Sequence, residues 1–104
     1  MTREEILETV TKHMLAQSER STDGAGACMY RGQDGLACAV GCLMTDEEAE
    51  AADLFRGDTD VVILQEAGLI PERLEPHLEL LAKLQTIHDS APVTEWGERL
   101  EALK

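Results

Sequence analysis

At 104 residues and 43% apolar content, the chain can build one modest core and is too apolar to be disordered. Tyr30, Phe55 and Trp96 are its only aromatic residues, too few for a base-stacking platform that holds single-stranded nucleic acid. The net charge of -12 is concentrated after residue 44, where fifteen acids meet five bases, and it disfavours direct contact with a phosphate backbone.

The N-terminal segment opens with a helix. Thr2 followed by Glu5 is a capping box, and Ile6, Leu7, Val10, Met14 and Gln17 recur at helical spacing as one inward stripe. The helix ends near Ser18, where the polar, glycine-containing SERSTDGAG begins a loop. MTREEILETV is acidic and fits neither an export signal nor a transit peptide. No apolar run approaches the ~20 residues of a membrane span. Three cysteines, an odd number, then suggest free thiols in a reducing cytoplasm.

Residues 28–44, CMYRGQDGLACAVGCLM, hold all three cysteines. Asp34-Gly35 is a hairpin-turn signal, because glycine accepts the positive φ such turns require. A hairpin about it pairs Gly32 with Leu36, Tyr30 with Cys38 and Cys28 with Val40. Alternation then puts Cys28, Tyr30, Leu36, Cys38, Val40 and Cys42 on one face, and Met29, Arg31, Ala37, Ala39 and Gly41 on the other. A competing reading starts a short helix near Ala37, since Cys38 and Cys42 are one helical turn apart.

From Thr45 the pattern is helical. Thr45 and Glu48 form a second capping box, opening a helix with Ala49, Ala52 and Phe55 inward and a stop at Gly57. Asp58 or Thr59 caps a short helix through VVILQEA, closed by Gly68. Pro71 and Pro76 suit only a first helical turn. The main helix is expected at about Glu75 to Asp89 with Leu78, Leu81, Leu84 and Gln85 inward, and Val93, Trp96, Leu100 and Leu103 form the last stripe. The sum is a single, mainly helical α+β domain spanning residues 1–104, with about five helices and one small β-hairpin near residues 28–42.

Chemistry-bearing groups are sparse. The spacing Cys28-x9-Cys38-x3-Cys42 lacks paired zinc knuckles, although Cys28, Cys38, Cys42 and His88 could close a tetrahedral zinc site as an alternative to no cofactor at all. On the hairpin reading the thiols face the core and behave as small hydrophobes. His88-Asp89 hints at metal-dependent phosphohydrolase chemistry, but it lacks the further His and Asp ligands that such sites need. Phosphate-binding glycine loops and nucleophile elbows are not found, and no enzyme is expected. Arg20-Ser21 and Tyr30-Arg31 join donor-rich side chains to glycine-bearing backbone, a setting in which an arginine fork can hold a phosphate or carboxylate. An ion pair within the chain is the plainer use of either arginine.

The run Arg20-Ser21 to Leu43, with C-x-Y-R-G-x-D-G-L-x-C-A-V-G-C-L at its centre, resembles an uncharacterised family of small proteins from bacteria and their phages. LLAKLQTIHD and the region around Trp96 are similar to that family's second signature. The chain departs at Gln33, where members often carry proline, and at Ala37, where they often carry a basic residue. The resemblance implies a cytoplasmic protein associated with mobile elements, and no functional residue is carried over from it.

These readings together point to a small acidic binding protein that occupies a basic surface on a host nucleic-acid-handling or defence protein and so inhibits it. Its candidate contacts are Asp46, Glu47 and Glu50. The alternatives are a nucleotide or small-anion module using Arg20, Tyr30 and Arg31, or a structural zinc module; Ser21 and His88 are further candidates for ligand or partner binding. No nucleic-acid or membrane contact is expected, and the exposed edge of the hairpin offers a surface for a homodimer.

Overall fold

A computed structural model of the protein describes residues 1–24, 28–55 and 61–104. Among these lie five α-helices: α1 (Arg3–Gln17), α2 (Asp46–Leu54), α3 (Val61–Glu66), α4 (Leu78–Ser90) and α5 (Trp96–Glu101). Short 3-10 segments at Gln33–Gly35, Gly41–Leu43, Glu72–His77 and Val93–Glu95 fill the connections. No described helix is long and apolar enough to cross a membrane.

Local signals set the helix starts. Thr2 Oγ1 accepts the Glu5 amide at 3.1 Å while Glu5 Oε1 accepts the Thr2 amide at 2.8 Å. Thr45 and Glu48 repeat the exchange at 3.2 and 2.8 Å. Each box satisfies two amides that a helix start otherwise leaves without a partner. Ser18 closes α1 in the left-handed region at φ 57°. The main helix starts later than the sequence suggests, because Pro76 lacks the N–H that an α-helical interior needs and sits in the 3-10 turn before α4. The proposed caps Asp58 and Thr59 and the stop at Gly57 lie outside the described residues.

α1 packs against α5 and α4, and α3 against α4. Ile6, Val10 and Met14 of α1 meet Leu81 and Leu84 of α4 and Trp96 and Leu100 of α5 in a core from which water is excluded. Burying each such side chain stabilises the fold by about 1.5–3 kcal/mol. Tyr30, Cys38 and Val40 close this core from the connecting segment.

The expected β-hairpin is absent: the described residues contain no β-strand. The chain does reverse at Asp34-Gly35, with φ of 55° and 79°, and the Gly32 amide donates to Leu36 O at 2.8 Å. Pairing stops after one isolated bridge, Arg31 with Ala37, and Cys28 bridges to Thr22 instead of Val40. Gln17 and His13 of α1 hold Ala37 N and O, which face away from Arg31 in this register, at 2.8–3.0 Å. The amides of Tyr30 and Val40, which a longer ladder would use, are taken from elsewhere. Asp53 of α2 takes the amides of Tyr30 and Arg31 at 2.7 and 2.9 Å, and Gln85 of α4 takes that of Val40 at 3.1 Å. Beyond Cys38 the backbone turns helical, with the Cys42 amide donating to Cys38 O at 3.0 Å. Five consecutive residues, 37 to 41, are buried, a pattern that no half-exposed strand could show.

Candidate functional site

The residues selected from sequence fall into two places. The first lies where the segment after α1 crosses the C-terminal end of α4. Arg20 Nε donates to His88 O at 3.0 Å, and its Nη2 donates to Ala91 O. A guanidinium thus covers carbonyls that the end of α4 leaves open, where the helix dipole favours a cation. Trp96 Nε1 also donates to Ala91 O, at 3.2 Å, tying α5 to the same point.

His88 is fully buried and stacks on Trp96 with ring centroids 5.5 Å apart. The Ser21 amide donates to its Nε2 at 3.1 Å. Its Nδ1 lies 2.6 Å from Asp89 Oδ1. Gln85 Nε2 donates to the same carboxylate oxygen at 3.2 Å, and the Cys28 thiol also hydrogen-bonds Asp89. Asp89 is therefore a hub that joins the connecting segment to α4. Ser21 is fully buried too, and its hydroxyl has no hydrogen-bond partner among the described residues.

The four-ligand zinc grouping does not form. Among the described residues, the His, Cys and acidic donors that gather are Cys28, His88 and Asp89, within 4.8 Å of one another, without Cys38 or Cys42. Both ring nitrogens of His88 are engaged, one of them by a backbone N–H. The lone pair that a metal would need, on Nε2, is the one that accepts the Ser21 amide. The thiols are also held in their protonated form. Burial, with Asp89 beside it, pushes Cys28 up to about 11. Burial pushes Cys38 to about 12, against the opposing Gly41 amide, and Cys42 to about 12, against Arg31. Nucleophilic attack needs the thiolate.

Arg31 does not point toward a ligand site. Its Nη1 donates to Gly41 O, and its Nη2 donates to Met44 O at 2.9 Å and reaches Asp46 Oδ1 at 3.4 Å. Tyr30 is fully buried. A groove of about 590 Å³ along α1, lined by Arg3, Leu7, Thr11, Lys12 and Lys104 among others, shares none of these residues.

The second place is α2. Asp46, Glu47 and Glu50 are all exposed, while Ala49 and Ala52 anchor the opposite side of the helix in the core. Arg73 grips Glu48 through both carboxylate oxygens at 2.7 and 2.9 Å and donates to Leu43 O at 2.8 Å. This fork holds Glu48 down at about 2 and fixes α2 to the turn before it.

Sequence reasoning passed over Asp53 and Arg73, and gave Gln17 a place in the α1 stripe without a partner. Nothing in local spacing marks the bonds they make, since each acts on a backbone group or side chain at least twenty residues away. Comparison with protein-family models, curated proteins and solved structures gives no match.

Proposed function

We propose that the protein is a non-enzymatic, mobile-element-associated binding protein of the cytoplasm. It inhibits a host nucleic-acid-handling or defence protein by laying α2 against a basic surface of that partner. The observation that carries this reading is the direction of the arginines. Arg20, Arg31 and Arg73 turn to backbone carbonyls and to Glu48 within the fold. The exposed acids of α2 therefore keep most of their field for a partner; Asp46, 94% exposed, meets Arg31 at 3.4 Å. Such a surface speeds encounter with a cationic partner and excludes nucleic acid itself.

The small-anion reading is the weaker one, because the two guanidiniums it needs are already bonded within the chain. Pull-down from host lysate at rising salt tests the proposal. A basic protein should be retained at low salt and released as salt screens the contact. Failure to retain any basic or nucleic-acid-binding protein at low salt would remove its support.

A further inference from the structure

His88 holds a single proton whose position is fixed by its neighbours. A backbone amide can only donate, so the Ser21 N–H at 3.1 Å requires a lone pair on Nε2. Nδ1 therefore carries the proton and donates it to Asp89 Oδ1 at 2.6 Å. A second proton has one place to go, Nε2, and there it would face the Ser21 N–H. The ring would stay where it is, since Asp89 accepts from Nδ1–H in both states and attracts the charged ring more strongly.

The hydroxyl of Ser21 supplies the other half of the device. It is buried and, among the described residues, without a partner while His88 is neutral, an unfavourable state for a polar group. A charged ring offers it a donor. We propose that His88 and Ser21 form a proton-operated latch: the neutral ring accepts the Ser21 amide, and the charged ring donates Nε2–H to the Ser21 hydroxyl, shifting the Arg20–Thr22 segment along α4. Arg20 bonds to His88 O from that segment, and Thr22 bridges to Cys28, so the shift is passed to both.

The groups facing the ring set the balance. Asp89 on the same helix and the face of Trp96 from α5 favour the charged form. Arg20, bonded to the carbonyl of His88 itself, and complete burial oppose it. Cys28 stays a neutral donor to Asp89 throughout.

The test is an acid titration of the full chain by NMR, following the His88 ring nitrogens and the Ser21 amide, with Trp96 fluorescence as a second reporter. As His88 takes its proton, the Ser21 amide resonance should move, and its exchange protection should fall about tenfold, the loss of one hydrogen bond. Amides in the middle of α4 should keep theirs. Ser21→Ala removes the hydroxyl acceptor and should lower the pH at which His88 charges. His88→Gln, which keeps a distal acceptor and donor but cannot titrate, should abolish the transition. The latch is overturned if the Ser21 amide is unmoved while His88 titrates, or if the ring stays neutral until the whole chain unfolds. A transition that survives in His88→Gln would equally overturn it, by assigning the event to a carboxylate.

Discussion

Gly41→Ala should be among the most damaging single-methyl changes in the chain. A Cβ at Gly41 would lie 2.2 Å from Tyr30 O, 2.9 Å from its C and 3.1 Å from its Cα. All three are backbone atoms, so no rotamer change relieves the clash. The Gly41 turn and the Tyr30 backbone must separate by about 1 Å to reach ordinary contact. That movement works against Arg31, which donates to Gly41 O, and against Asp53, which holds the Tyr30 amide. Overpacking of this kind costs roughly 2–3 kcal/mol. For a domain of this size it should lower Tm by roughly 10 °C or more. Gly97→Ala is the internal control. It adds the same methyl within α5, where the nearest atom is Leu15 Cδ2 at an ordinary 3.7 Å, and should gain about 0.5–1 kcal/mol. Urea and thermal denaturation of both variants decide the matter. If Gly41→Ala is as stable as the parent, Gly41 stands on an open outer face, as a hairpin would put it, and the packing described here is wrong.

Three further outcomes are expected. Asp53→Ala strands the amides of Tyr30 and Arg31 and should cost about 2 kcal/mol, whereas exposed Glu50→Ala should stay within about 0.5 kcal/mol of the parent; equal effects in urea melts would contradict the role given to Asp53. Native thiols should react with a disulfide reagent at pH 8 at least about a hundredfold more slowly than in urea, since a thiol at about 11 instead of 9.0 carries a hundredth of the thiolate; one fast native cysteine would refute this. Glu48 is held at about 2 by Arg73, against 4.5 in isolation, so its modest contribution is complete above pH 4.5 and fades as pH falls toward 2. Glu48→Gln should flatten that part of the stability profile, and a profile of unchanged slope would remove the pair from the account.

What the sequence made legible was local. The two capping boxes and the α1 stripe Ile6, Leu7, Val10 and Met14 follow from residues within one or two turns of each other. The reversal at Asp34-Gly35 is equally local. The strands expected on either side of it failed because their competitors are remote. Asp53 and Gln85 reach in from two helices and take the Tyr30 and Val40 amides that a longer ladder needs, while Gln17 and His13 fix Ala37 from a third. The hint of a short helix near Cys38 and Cys42 lay closer to the 3-10 turn at Gly41–Leu43. Arg20 and Arg31 look alike in sequence as anion-binding arginines, yet each serves carbonyls of its own chain, and one pair of these partners lies 68 positions apart. The contact between Ser21 and His88 spans 67 positions, so no spacing rule could have found it.

The direct test of the proposed function compares two baits in host lysate, the parent chain and a variant carrying Asp46→Lys, Glu47→Lys and Glu50→Lys. These side chains are exposed, so the variant should fold, somewhat less stable than the parent because lysines replace acids in the first turn of α2 and Asp46 no longer meets Arg31. The account predicts that the parent retains a basic partner at low salt and releases it as salt rises, while the variant retains none. Equal retention by both baits, or retention by neither, would contradict it.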